Sequence, residues 1–334
     1  MIPRAQIVAW RAKAPWSTDA QVEQDLVLSR ALVEIYSDDD LRHLLAFRGG
    51  TALHKLYLNP PARYSEDLDF VQLRGAPAGD MISAIRRRLD PWLGTPRRAR
   101  SAHTVTLTYG FSSEIAPVTP LRLKIEINSR EHFNVLGHEM KVLDVENAWF
   151  SGRASVRTYA LEELLGTKLR ALYQRSKGRD LFDLAVALER APELNRTAVI
   201  RCFTKYAEHQ GVQISRAQLR ENLAAKLQDP GFGRDVEALL CARNGRVGTT
   251  DPGEQSIRVC ELRCRGRRRS GTACADRSDT VDSIRLASPS GPPVWLTGFR
   301  SSQIERDEYR LRWRGHCFPG GRAFGLRSWH RRRC

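Results

Sequence analysis

Asp67 and Asp69 stand two residues apart between apolar neighbours in the segment SEDLDFVQL. On an extended strand, residues i and i+2 share one face, roughly 6–7 Å apart. Both carboxylates then aim at one point, while Leu68 and Phe70 turn into the core. Two carboxylates so placed repel unless a cation sits between them. Mg²⁺ suits the arrangement, because it takes oxygen ligands from one or two carboxylates and from substrate phosphates. An exposed edge strand with no role would show the same Asp-Leu-Asp spacing. Upstream, Gly49-Gly50-Thr51 opens a short helical run. Glycines there let backbone N–H groups approach a phosphate, and the Thr51 hydroxyl and the helix dipole add to the seat. An ordinary helix start has the same composition. Arg63 and Ser65, just before the aspartates, are placed to reach a phosphate or to orient metal ligands, or else to form a solvated turn. Glu126 alternates with Lys124 in LRLKIEIN, opposite Leu123, Ile125 and Ile127. If that strand neighbours the Asp67 strand, Glu126 supplies a third acid; otherwise it is half of a solvated Lys-Glu face.

These residues need elements to position them. Apolar residues at helical spacing over 17–46 predict one or two helices, with Ser17 as the N-cap. A short helix is predicted over 51–58, stopped by Asn59-Pro60-Pro61. Alternation predicts strands at 67–73, 104–111 and 121–128 and a short one at 155–159. Helices are predicted over 81–93, 160–175, 179–190, 196–211 and 215–241, and no internal repeat is visible. On the helix over 160–175, Lys168, Leu172 and Arg175 share one stripe.

The chain has 334 residues, long enough for a sizeable core in one or two domains, and 41% of them are hydrophobic. No run approaches the roughly 20 apolar residues of a membrane helix. The N-terminal segment lacks the apolar centre of a signal peptide. A cytoplasmic protein with no membrane partner is expected. The net charge of +16 is uneven. Residues 245–334 hold 19 Arg, no Lys and 9 acids, a net +10 that leaves +6 for the first 244 residues. Five of seven cysteines also fall there, and no disulfide framework is indicated. That tail reads either as a basic nucleic-acid-binding segment or as a GC-rich gene read out of frame and never selected to fold. The second reading predicts poor order after residue 245.

The order Gly-Gly-Thr, short helix, Asp-x-Asp strand and later strand acid resembles the DNA polymerase beta-like nucleotidyltransferases. More narrowly, FRGGTALHKLY and RYSEDLDF resemble the AbiEii/AbiGii toxin family, which includes the mycobacterial MenT toxins. The resemblance covers about residues 5–241. It implies an α+β fold, with a polymerase-beta-like core of mixed sheet flanked by helices and then a mainly helical region. The implied divisions are a catalytic core over 1–158, a helical domain over 159–244 and the tail over 245–334. It further implies a lysine and a later aspartate, which map onto Lys168 and Asp180, with Asp183 as the competing position. The expected site is therefore Asp67, Asp69, Glu126, Lys168 and Asp180 as catalytic groups, with Asp67 and Asp69 on the metal. Gly49, Gly50, Thr51, Arg63, Ser65 and Lys168 hold the nucleotide. The cofactor implied is Mg²⁺, or Mn²⁺, with an NTP as substrate. The implied activity is nucleotide addition to the 3′ end of tRNA, which blocks translation in a type IV toxin–antitoxin or phage-defence (abortive-infection) setting. Its partner would be a separately encoded AbiEi-like antitoxin with a DNA-binding domain. The alternatives are the same fold acting on a protein or small molecule, and a non-catalytic nucleic-acid-binding protein that uses the basic tail.

Overall fold

A computed structural model of the chain describes residues 2–240 together with two short strands further on. The expectation for the tail from 245 falls outside the described residues. Residues 2–240 lie within one compact unit. Helix Arg4–Trp10 (α1) leads to Asp19–Tyr36 (α2). The cap of α2 is Thr18, one residue later than anticipated. Its hydroxyl accepts from the Gln21 N–H, and the Gln21 side chain accepts from the Thr18 N–H. Ser17 instead donates to the carbonyl of Leu240. Asp38 caps the next helix, Asp39–Leu44 (α3), through the N–H groups of Asp40 and Leu41.

Then come Leu45–Arg48 (β1), Gly49–Leu56 (α4), Asp67–Gln72 (β2) and Gly79–Leu93 (α5). Four strands follow Arg97–Arg100 (β3): Thr104–Ser112 (β4), Pro120–Asn128 (β5), His138–Glu146 (β6) and Ser151–Tyr159 (β7). The helical remainder is Leu161–Gln174 (α6), Gly178–Arg190 (α7), Arg196–His209 (α8), Arg216–Leu227 (α9) and Pro230–Glu237 (α10).

Seven strands form one mixed sheet in the order β3-β4-β5-β2-β1-β7-β6. β2 runs parallel to β5 and β1 parallel to β7, while the other pairings are antiparallel. Register assigns the faces. Leu68 lies beside Ile125, and Phe70 beside both Phe47 and Ile127. All five are buried, as are Val105 and Leu107 on β4. This face packs on α2, which is buried on almost every side. The opposite face of the same strands carries Arg48, Asp67, Asp69, Lys124 and Glu126. α4 crosses β1 and β2 and meets α6. There Leu53, Leu58, Leu165, Val186, Ala187 and Val199 form a second apolar cluster, which ties the sheet to the helices that follow. Burying a side chain of this size contributes about 1.5–3 kcal/mol.

The α+β class and the mixed sheet flanked by helices agree with the sequence reading. The strands β1, β3 and β6 were not foreseen. Among the described residues, no helix is long and apolar enough to cross a membrane. Further along, Ile284–Leu286 (β8) pairs with Val294–Leu296 (β9).

Candidate active site

The site is built where β1 ends and α4 begins. Cross-strand register sets Arg48 of β1 beside Asp69 of β2. The chain then turns through Gly49, whose φ is 82°, a left-handed conformation in which a side chain is strained. A Cβ there would also collide with Asp69 Oδ2. A Cβ on Gly50 would lie 2.5 Å from Arg63 Nη2 and 3.2 Å from Ser65 Oγ. The two glycines thus let the first turn of α4 press against β2 and the segment before it. Thr51 locks this approach. Its hydroxyl donates to the Asp67 carbonyl at 2.6 Å and pairs with the Ser65 hydroxyl at 2.8 Å. Thr51 is buried, so its hydroxyl is committed to the protein.

Asp67 and Asp69 share the sheet face opposite Leu68 and Phe70, as their spacing required. Burial and then the neighbouring Asp69 charge push the Asp67 carboxyl up to about 6. Asp67 Oδ1 is buried and accepts no hydrogen bond. Asp69 is raised by burial and by Glu126, against the opposing charges of Arg48 and Lys168. Glu126 lies directly beside Asp69 on the parallel strand β5. Its carboxylate, however, pairs with Lys124 at 3.0 Å. Among the described residues, no group of three or more His, Cys, Asp or Glu side chains is arranged to hold a metal ion. Asp67 and Asp69 remain as the paired acids of this face. They are hard oxygen donors, one carrying an unsatisfied buried atom, and both resist ionisation without a positive partner.

The cationic side comes from the helices. Lys168 Nζ on α6 lies 2.9 Å from Asp183 and 3.2 Å from Asp180, both on α7. Arg175 grips Asp180 through two bonds of 2.7 and 3.0 Å. Asp183 is the hub. It takes a two-pronged contact from Arg63 at 2.6 and 2.7 Å, a bond from His54 at 2.9 Å and the Lys168 pair. Burial opposes its charge, but Lys168 and Arg63 outweigh burial and hold Asp183 well below the usual carboxylate range. Burial also lowers His54. Because His54 Nδ1 accepts from the Ala62 N–H at 3.3 Å, its proton sits on Nε2 and points at Asp183.

Most of the anticipated residues are brought together. Gly49, Gly50, Thr51, Ser65, Asp67 and Asp69 form one contiguous patch, with Glu126 alongside and the Lys168 charge acting on Asp69. Arg63 adjoins Gly50 but is buried and spent on Asp183. Asp180 meets the patch only through Lys168 and Arg175. Sequence reading missed Arg48 and Glu131, and it gave Arg170 and Arg175 no partners. Glu131 receives Arg48 at 2.7 Å and Arg170 at 2.6 Å. Those two cations outweigh the effect of burial and lower its carboxyl to about 2. The position of Arg48 directly before Gly49 was the one available signal. Glu131 sits in a loop with no pattern around it.

A helix pressed by two glycines onto a two-aspartate strand of a mixed sheet defines a nucleotidyltransferase fold. Residues 30–243 match the family described as the nucleotidyl transferase AbiEii toxin of type IV toxin–antitoxin systems. The chain belongs to that family and is a nucleotidyltransferase. The fold is shared with MenT4, a nucleotidyltransferase toxin of Mycobacterium tuberculosis H37Rv, at TM-score 0.50 and 16% identity, over 70% of this chain and 93% of that one. JHP933 from Helicobacter pylori matches at TM-score 0.41 and 19% identity, over 64% of this chain and 83% of that one. An antigenic nucleotidyltransferase-like protein from Paracoccidioides brasiliensis matches at 0.36 and 18%, over 63% and 95% of the two chains. No curated protein matches the sequence.

Proposed function

We propose that the chain transfers a nucleotidyl group from an NTP to the 3′ end of a tRNA and so blocks translation as a toxin. The observation that carries the site assignment is the buried, unpartnered Asp67 Oδ1, beside Asp69 and under the glycine turn of α4. Mg²⁺ or Mn²⁺ held by Asp67 and Asp69 would act as a Lewis acid on the phosphates and offset charge on the departing pyrophosphate. The turn at Gly49 and Gly50 is packed against Asp69, Arg63 and Ser65, and the α4 N-terminus above it would favour phosphate charge. Lys168 adds a point charge on the same side, held in place by Asp180 and Asp183. Thr51, Ser65 and Arg63 shape the turn from beneath. Glu126 is placed to take the proton of the attacking hydroxyl once Lys124 shifts from it. In this reading residues 1–158 are the catalytic core and residues 159–244 deliver Lys168.

The arginines between residues 86 and 100 divide in two. Arg86 pairs with Asp90, and Arg87 and Arg88 pair with Asp38. Arg97, Arg98 and Arg100 lie exposed on the edge strand β3, and they are the members offered to an RNA backbone. An AbiEi-like DNA-binding antitoxin, a phage-defence role and a cytoplasmic setting complete the proposal. Incubation with each α-labelled NTP, Mg²⁺ and total tRNA tests it. A labelled RNA band is expected, whereas label in a protein or small molecule would move the acceptor to another class.

A further inference from the structure

The loop between β5 and β6, residues 129–137, is pinned from both sides. Glu131 holds Arg48 and Arg170. The N–H groups of Val135 and Leu136 each donate to Glu163 at 2.8 Å, and Glu163 also accepts from the Tyr206 hydroxyl at 2.8 Å. Phe133 stands between these anchors. Its ring lies 4.7 Å from that of Tyr206 and 4.4 Å from that of His209 on α8. The Arg170 guanidinium lies 5.1 Å from the Tyr206 ring centre.

A shallow, largely open depression lies beside this stack. Phe133, Asn134, Arg201, Lys205, Glu208 and His209 line it. Arg201, Lys205 and His209 are spaced i, i+4, i+8 and are exposed on one stripe of α8, about 12 Å long. Glu208 is the acid in this lining, and Lys205 neutralises it at 2.9 Å. Rigid rings, an amide, the Arg201 cation and a Lys205 shared with Glu208 are elements that can hold unpaired bases and their phosphates. The length of the stripe suits a strand rather than a mononucleotide. A chain of contacts links it to the carboxylates. Phe133 is two residues from Glu131, at most about 7 Å along the chain. Glu131 binds Arg48, and Arg48 lies beside Asp69.

The geometry points to a base-binding site for the single-stranded 3′ end of an acceptor RNA: an unpaired base stacks on the Phe133–His209 face, Asn134 meets its edge, and its phosphates run along Arg201 and Lys205. This rests on the reading of RNA as the acceptor.

The test is fluorescence anisotropy of the full chain with a fluorescein-labelled RNA hexamer and with an abasic hexamer of equal charge. Wild type is expected to bind the base-bearing RNA roughly ten-fold more tightly. His209→Ala, an exposed change, removes most of that preference. Arg201→Glu weakens both RNAs, and Glu208→Gln strengthens both. Binding of a fluorescent NTP analogue is unchanged in all three variants. Equal binding of the two hexamers by wild type, or a His209→Ala variant that keeps the preference, overturns the proposal. Loss of NTP binding with RNA binding intact assigns the depression to the incoming nucleotide and overturns the proposal too. If wild type extends RNA while the variants bind RNA normally, this site falls and the transferase reading stands. If wild type does not bind RNA at all, both fall.

Discussion

Asp67 is held in an environment hostile to its own charge. Its carboxyl, raised to about 6 by burial and by Asp69, contributes stability that is full below about pH 4 and lost as pH rises through 6. In metal-free buffer at pH 7.5, Asp67→Asn should therefore raise stability by about 1–2 kcal/mol after solvent screening, while abolishing nucleotide transfer. A thermal melt that shows the variant destabilised would count against a pair of carboxylates waiting for a cation. Glu131 has the opposite sign. Its carboxyl, lowered to about 2 by Arg170 and Arg48, contributes stability present above about pH 4.5 and lost as pH falls through 2. Glu131→Gln should cost about 3 kcal/mol at pH 7, and the gap to wild type should close in acid. An unchanged gap at pH 2–3 in urea unfolding would refute the pairing. The two aspartates were legible because period-two spacing is a local property of the chain. Glu131 and Arg170 meet each other across 39 residues, and Asp183 meets His54 across 129, distances at which spacing says nothing.

At the scale of elements, the first turn of α4 is the critical joint. Gly49→Ala meets both a positive φ and the Asp69 side chain, whereas Gly137, with φ of 90°, has open space around it. Strain alone costs about 1–2 kcal/mol, so Gly137→Ala should lose about that much and Gly49→Ala clearly more, with transfer lost as well. Equal costs by chemical denaturation would remove the close-approach explanation. Replacing the hub with Asp183→Ala should cost about 3–5 kcal/mol, because Arg63 would remain buried without its acid and Lys168 would keep only Asp180. A mild effect would show that they find other acids. Long elements such as α2, β4, β5 and α6 were readable from periodicity, since each buries one face or more. β1 was hidden because its four residues follow directly on a helix, with no turn residue before them. β6 exposes Met140 and Val142 at the sheet edge, so its alternation does not separate inside from outside. β3 is exposed throughout and carries no burial signal.

At the scale of the whole molecule, the charge of +16 is a poor guide to the site, because most of it lies after residue 244. The family match ends at residue 243; every side chain of the proposed catalytic site lies before 184, and those of the proposed RNA-end site before 210. A chain ending at residue 244 should keep transfer activity within about two-fold of the full chain. Loss of activity would place part of the machinery in residues 245–334. The central claim is that Asp67 and Asp69 together serve nucleotidyl transfer. The most direct test supplies the same NTP labelled at the α or the γ phosphate to wild type, Asp67→Asn and Asp69→Asn. Wild type should pass on label from the α position only, and both variants should pass on none. Transfer of γ label, or α label moved by either variant at the wild-type rate, would contradict the account.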